Sequence, residues 1–236
     1  MNLTVATVAL GCGILVWWLL VRHLTAKPWV HSTPGEAIAA DPTYGVKSTP
    51  AAKVGLSVFL VVVTALFGLF LTAYFIRMGY GHAHGAKQPV QINDWRVVSE
   101  PAILWINTVL LVISSIVMQA AQRAVASQQA ARVRAYLIAG GVLTVLFLAG
   151  QLAAWQQLAA SGYLLGNPAA AFFYLLTAVH GLHLSGGLFV WGKTLTRLWR
   201  QDVELIDVGL SIELCSVYWH YLLFLWLVLF AVLLYT

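Results

Sequence analysis

The sequence predicts an all-α, polytopic membrane protein with a bundle of six transmembrane helices, and three observations lead to this fold class. Of the 236 residues, 61% are hydrophobic and only 9% are charged, whereas soluble domains carry about a quarter charged residues. Six apolar stretches each have about 20 residues, the length that crosses a bilayer as a helix. The basic residues lie in short segments between these stretches. The net charge of +5 therefore indicates membrane orientation rather than a nucleic-acid partner.

The six spans can be placed along the chain. They are residues 3–21, 54–76, 101–120, 135–158, 168–192 and 210–235. Pro101 and Pro168 stand at span starts, where a missing N–H costs little. The first span precedes the first positive charges, Arg22 and Lys27, which is the reverse of a signal peptide, so we expect it to be retained. The one long loop, 22–53, is rich in Pro, Ser, Thr and Gly and is expected to be a polar surface linker.

The positive charges predict the orientation of the spans. Three alternating loops, 22–53, 121–134 and 193–209, hold ten basic residues: Arg22, Lys27, Lys47, Lys53, Arg123, Arg132, Arg134, Lys193, Arg197 and Arg200. The opposite side holds three: Arg77, Lys87 and Arg96. Because cytoplasmic loops are enriched in Lys and Arg, we expect both termini on the periplasmic side. The only acidic residues within spans or beside them are Glu100 and Glu213, near span ends. The chain is therefore poorly equipped to move charge by itself.

Three histidines are candidate functional residues of the last two spans. His180 and His183 are three residues apart and share a helix face, and His220 is placed at a similar depth in the last span. Such imidazoles could ligate haem or a metal, or they could bond to neighbouring helices, lipid or a partner subunit. The second interpretation is favoured because no further His, Cys or carboxylate donor lies at this depth. The loop pair His82 and His84 could bind Cu or Zn but is typical of solvated loop residues.

Small, polar and aromatic residues predict contacts between helices. Small residues let helices approach closely in lipid, and they are Gly140, Gly141, Gly150, Ser185, Gly186, Gly187 and Gly192. Near one face of the third span, we expect interhelical hydrogen bonds from Asn107, Ser114, Ser115 and Gln119. An aromatic belt at span ends is expected from Trp17, Trp18, Trp29, Trp95, Trp191 and Trp199. Cys12 and Cys215 form no disulfide or metal motif.

Two C-terminal stretches resemble subunit III of the haem–copper terminal oxidases. They are FYLLTAVHGLHLSGG from Phe173 and ELCSVYWHY from Glu213, with Trp226 beyond. Three upstream stretches resemble the family's first three common helices: FGLFLTAYF from Phe67, PAILWINTVLLVISS from Pro101 and FLAGQLAAW from Phe147. The resemblance covers residues 53–236. It predicts a five-helix subunit III-like domain over these residues. Residues 1–52 would form an extra transmembrane helix followed by a cytoplasmic linker, and this extra helix is similar to the family's second helix.

Two positions depart from the family pattern. The family usually carries a membrane-embedded Glu where Val63 stands and an Asp where Leu223 stands. Both replacements remove an ionisable group, which argues against a role of this chain in collecting protons.

The resemblance implies an accessory, cofactor-free subunit of a bacterial terminal oxidase in the inner membrane. The complex would reduce dioxygen and pump protons, with haem and copper held by partner subunits I and II. This chain would pack against subunit I and hold phospholipids. The residues expected to pack helices or contact lipid are His180, His183, Glu213, Trp219, His220, Asn107 and Trp155. Two alternatives stay open: the homologous accessory subunit of a nitric oxide reductase, and a stand-alone membrane haem or metal protein using the three histidines.

Overall fold

The computed structural model describes residues 49–83, 102–160, 168–199 and 205–235, and these segments are α-helical apart from short turns. The helices are α1 (Thr49–Ala83), α2 (Ile103–Ala126), α3 (Ala130–Ala160), α4 (Pro168–Leu198) and α5 (Leu205–Tyr235). All five are long and apolar enough to cross a membrane. The all-α class is therefore confirmed for the described residues. The predicted first span, 3–21, lies outside them, so the total of six spans and the side of each terminus stay predictions.

The internal contacts of the chain divide it into two compact units, residues 1–65 and 66–236. The described part of the first unit is the beginning of α1, up to Ala65. The second unit holds the rest of α1 and the whole of α2 to α5. The predicted domain boundary after residue 52 stays a prediction.

The helices extend beyond the predicted spans, and this corrects the boundaries of the three predicted loops. α1 begins at Thr49, within the expected loop 22–53. The expected loop 121–134 is mostly helical, because α2 runs to Ala126 and α3 begins at Ala130. The turn between them is closed by backbone bonds from Gln128 N–H to Val125 O and from Gln129 N–H to Ala124 O, of 3.0 and 3.2 Å. Likewise α4 continues to Leu198, into the expected loop 193–209. The physical reason is length: a helix of 31 residues is about 46 Å long and outruns a hydrocarbon core of about 30 Å.

Helices α2 to α5 form an antiparallel four-helix ring within the second unit. α2 packs against α3 and α5, and α4 packs against the same two helices. The interior of this ring is filled by large apolar side chains that are almost fully buried. They include Leu104, Leu111, Met118, Leu137, Phe147, Leu158, Leu176, Leu184, Trp219 and Trp226. Side chains from all four helices therefore face the interior of the ring at similar depths, and polar side chains can form hydrogen bonds with one another there.

The second part of α1 packs against the beginning of α4. Tyr74 and Met78 form a buried cluster with Ala169, and the ring of Tyr74 meets that of Phe172 edge-on at 5.4 Å between centroids. Phe67 lies earlier on α1, and the centroid of its ring is 5.7 Å from that of the His183 ring. Aromatic contacts therefore join α1 to α4 within the second unit.

Three glycines allow close helix approach, as the sequence predicts. A Cβ on Gly141 would overlap the ring of Trp191, and one on Gly150 would overlap the amide of Asn107. A Cβ on Gly187 would lie 2.7 Å from Cε1 of Tyr218. Gly186 and Gly192 differ from the prediction, because no described side chain comes within 4 Å of a Cβ at either position. They face outward on α4, where no partner is packed against them within the described residues.

Candidate functional site

The centre of the ring holds a hydrogen-bonded group that joins α2, α3 and α5. The fully buried indole of Trp219 donates from Nε1 to Thr144 Oγ1 at 3.0 Å. The Thr144 hydroxyl also lies 2.9 Å from Ser114 Oγ, and Ser114 donates to the carbonyl of Gly140 at 2.9 Å. Buried polar groups in an apolar interior need such partners. Trp219 therefore contributes both volume and an interhelical bond, at a position that the sequence singled out.

His220 forms a second polar group at the interface of α2 and α5. Its ring lies between Ser115, which contacts Nδ1, and Gln119, whose Oε1 is 2.8 Å from Nε2. In the neutral Nε2–H tautomer, Nε2 donates to Gln119 and Nδ1 accepts from the Ser115 hydroxyl. Ser216 Oγ also points to Gln119 Oε1, at 3.5 Å. Three residues of α2, Ser114, Ser115 and Gln119, thus make the interhelical bonds that the sequence predicts.

His180 and His183 have different surroundings although they share one helix. His183 is partly buried and its Nδ1 donates to Val179 O, one turn earlier, at 2.7 Å. Its own backbone carbonyl accepts a bond of 3.0 Å from Tyr218 Oη. His180 is completely buried, and neither ring nitrogen has a hydrogen-bond partner among the described residues. Its ring lies against Phe147 and Trp226, at 5.9 and 5.3 Å between centroids. No hydrogen bond from the His180 ring to a neighbouring helix is therefore present among the described residues.

Two further tryptophans join helices through threonine hydroxyls. Trp155 Nε1 donates to Thr177 Oγ1 at 3.0 Å and links α3 to α4. Trp226 Nε1 donates to Thr108 Oγ1 at 3.0 Å and links α5 to α2. Together with Thr144, these threonines are functional packing residues that the sequence reading missed. In the sequence, each of these threonines is a hydroxyl residue within an apolar span. Its pairing with a tryptophan on another helix can be recognised only when the depth of each helix is known.

The remaining predicted residues, Asn107 and Glu213, occupy contrasting places. Asn107 is 1% exposed and packs against Gly150 of α3, and its Nδ2 has no partner among the described residues. Glu213 is half-buried near the start of α5. Val63, which stands at a position that is usually acidic in the resembled family, is buried at 2% exposure. Leu223, at the second such position, is half-buried.

The three membrane histidines do not come together as one ligand set. His220 faces α2, whereas His180 faces α3 and the indole of Trp226. Among the described residues no group of three or more His, Cys, Asp or Glu side chains could hold a metal ion. His84 and the side chain of His82 lie outside the described part of the chain, as do Trp17, Trp18, Trp29 and Trp95.

The basic ends of three helices meet at one end of the ring. Arg123 ends α2, Arg132 and Arg134 begin α3, and Arg197 lies in the last turn of α4. Arg134 Nη2 donates to the carbonyl of Leu198 at 3.1 Å. A cation at a helix C-terminus satisfies a free carbonyl and complements the helix dipole. This contact brings the α4 end to the α2–α3 turn, so the positive charges share one side.

The sequence was compared with known proteins. A family model described as cytochrome c oxidase subunit III matches residues 11–236. A protein of Synechocystis sp. named cytochrome c oxidase subunit 3 is 30% identical over 200 residues, which cover 84% of this chain and 79% of the relative. A protein of the same name from Thermostichus vulcanus is 27% identical over 201 residues, covering 84% and 93%. The probable cytochrome c oxidase subunit 3 of Mycobacterium tuberculosis is 25% identical over 201 residues, covering 85% and 95%.

The ordered helices, the HGLH and YWH residues on α4 and α5, and the family match over nearly the whole length agree. The resemblance seen in the sequence is thereby confirmed: the chain is a multi-pass membrane protein that belongs to the cytochrome c oxidase subunit III family.

Proposed function

We propose that this chain is the accessory, cofactor-free subunit III of a bacterial haem–copper terminal oxidase that reduces dioxygen and translocates protons in aerobic respiration. Its partners are subunit I, in direct contact, subunit II and small subunits of the same complex. Haem and copper belong to those partners. The observation that carries the proposal is the family match over residues 11–236, and the names of the relatives support it.

The chemistry of the buried side chains supports a bracing role. The hydroxyl and indole groups of Thr144, Trp219, Trp155 and Thr177 are consumed in bonds between helices. The ring of His220 is likewise held between two side chains of α2. Groups whose hydrogen-bonding capacity is used inside the bundle stabilise one arrangement of helices. We propose that Trp155, Trp219, His220 and Asn107 fix the helices, and that this rigid bundle packs against subunit I.

The outer faces of the helices support contacts with lipid and with subunit I. Only 17% of the most apolar 18-residue window of α1 is buried, against 50% for α5. Large apolar side chains that are at least half exposed on α1 are Val54, Val58, Val62, Leu69 and Ile76. Such faces are stable in hydrocarbon or against another apolar protein surface. We propose that phospholipids cover part of α1, near His183 and Phe67, and that Glu213 contacts a headgroup or a partner near the membrane surface.

The shared side of the arginines supports the proposed orientation. Arg123, Arg132, Arg134 and Arg197 lie at one end of the ring, and cytoplasmic ends of membrane proteins are enriched in such residues. We propose that this end faces the cytoplasm of a bacterium, with the chain in the cytoplasmic membrane and both termini on the periplasmic side.

The test of this function is purification of the complex through an affinity tag on this chain, in mild detergent. We expect haem–copper oxidase subunits to co-purify, the haem spectrum to follow those subunits, and the preparation to consume dioxygen. Consumption of nitric oxide in place of dioxygen would favour the reductase relative. A haem or metal spectrum from the chain expressed alone would contradict the proposal and favour a stand-alone cofactor protein.

His183→Ala tests the bracing role directly. The substitution removes the ring that packs on Phe67 and the Nδ1 bond within α4. We expect a shorter active lifetime during turnover or a lower dissociation temperature of the complex, with an unchanged haem spectrum. The matched control is Ser185→Ala, because this exposed hydroxyl has Gly181 O of its own helix as its only hydrogen-bond partner in the part of the chain that the structure describes. Equal lifetimes of the two variants would contradict a bracing role for His183.

A further inference from the structure

Three buried polar side chains on three helices of the ring have hydrogen-bonding atoms without partners. They are Asn107 on α2, Gln151 on α3 and His180 on α4, with exposed fractions of 1%, 4% and 0%. Within the described residues, Asn107 Nδ2, both amide atoms of Gln151 and both ring nitrogens of His180 lack a hydrogen-bond partner. Buried polar groups in folded proteins almost always have a partner, which is either protein or ordered water.

The contacts of the neighbouring residues place the three side chains at one depth. Asn107 packs on Gly150, which directly precedes Gln151. The ring of His180 lies against Phe147, which is four residues before Gln151 and on the same face of α3. The five unpartnered atoms therefore lie within about one helical turn of each other along the axis of the ring.

Among the residues that the structure describes, these atoms have no other protein partner. Trp226 covers His180 with its ring, at 5.3 Å between centroids, but its Nε1–H is already bonded to Thr108. Phe147 offers only an aromatic ring, 5.0 Å from that of Trp226. Lipid has no hydrogen-bonding groups at this depth and cannot reach a fully buried ring. A small molecule that both donates and accepts hydrogen bonds is what the three side chains need.

We propose that ordered water molecules bind inside the ring at the level of Asn107, Gln151 and His180 and bridge these three side chains. A water molecule typically makes about three hydrogen bonds in such sites. Between them, such water molecules can accept from the Asn107 and Gln151 amides and from the N–H of His180, and they can donate to Gln151 Oε1 and to the second imidazole nitrogen. Bridging water connects α2, α3 and α4 through these three side chains, in addition to the direct α3–α4 bond from Trp155 to Thr177. The proposal is independent of the function proposed above.

Radiolytic hydroxyl labelling of the purified complex in ¹⁸O-water tests the proposal, because radicals formed from bound water oxidise the side chains beside it. Trp226 and Trp219 are a matched pair: both are buried completely on α5, and only Trp226 adjoins the unpartnered atoms. We expect Phe147 and Trp226 to be labelled and Trp219 to stay unlabelled. Trp199, which is 57% exposed, shows that the dose is sufficient.

The result that overturns the proposal is the absence of label on both Phe147 and Trp226 at a dose that labels Trp199. Equal labelling of Trp219 and Trp226 also overturns it, since the label then reports general water entry. The combined variant Asn107→Leu, Gln151→Leu and His180→Phe should lose the label on Trp226. If that variant does not assemble, the wild-type comparison of Trp226 with Trp219 decides the question alone.

Discussion

Replacing Thr144 by valine should weaken the bundle at its centre, because it removes the hydroxyl that bonds to Trp219 on α5 and to Ser114 on α2. The substitution keeps the volume but removes the hydroxyl that accepts from Trp219 Nε1 at 3.0 Å. Ser114 keeps a partner, because it donates to Gly140 O at 2.9 Å. The loss is therefore one buried indole N–H left without an acceptor. Such a loss costs about 1–3 kcal/mol in soluble proteins, and interhelical bonds in membranes are worth about 0.6 kcal/mol on average and up to about 1.7. We expect about 1.5 kcal/mol, near the upper membrane value, because the indole is fully buried.

The assay is reversible unfolding of the full chain in mixed micelles, followed by circular dichroism as the SDS fraction rises. Thr144→Ser is the conservative variant, since it keeps the hydroxyl. Thr72→Val is the matched control, because Thr72 is exposed and, within the described segments, its hydroxyl bonds only to Gly68 O of its own helix, at 2.8 Å. We expect the control to change the free energy of unfolding by less than about 0.5 kcal/mol.

A double-mutant cycle shows whether the lost bond is the cause. In a Trp219→Phe background no indole N–H is present, so Thr144→Val should cost less there than in the wild-type background, because only its contacts with Ser114 and Gly140 O remain to be lost. Equal costs of Thr144→Val in the two backgrounds would refute the bond as the origin of the effect. Equal costs of Thr144→Val and Thr72→Val would refute the central role of this hydroxyl.

Two other changes can be measured in the same assay. Gly141→Ala places a Cβ on the Trp191 ring and should lower the free energy of unfolding by about 1–3 kcal/mol. Its control, Gly192→Ala, meets open space and should leave the free energy of unfolding unchanged or raise it by up to about 1 kcal/mol. Equal losses in the two variants would contradict the close packing of Gly141 against Trp191. Gln128→Gly should raise the free energy of unfolding by about 1 kcal/mol, because Gln128 has φ of 53° in the α2–α3 turn and only glycine adopts that conformation without cost. A loss of stability would show that the Gln128 side chain contributes more than its backbone strain costs.

Composition and span length were sufficient to predict the class of fold, whereas the family was predicted from the resemblance of ordered motifs such as HGLH and YWH. An apolar stretch of about 20 residues has few alternatives to a transmembrane helix, because its backbone must be hydrogen-bonded internally in lipid. The sequence also identified Trp219 and His220 as candidates for helix packing or lipid contact. The positions of the helix ends were predicted less accurately. For example, Arg132 lies in the same continuous helix as the predicted span 135–158, because a helix can include charged residues where it extends outside the membrane.

The sequence by itself thus determined that this chain spans a membrane, lacks deep acidic and basic residues in its apolar spans, and belongs with the oxidase accessory subunits. Only the tertiary structure decided which side chains meet. His180 and His183 are three residues apart, yet one is sealed against Phe147 and Trp226 while the other bonds to its own helix. The reason is that hydropathy fixes how a helix lies relative to the membrane, whereas its rotation and depth are set by packing against neighbours that are distant in the sequence.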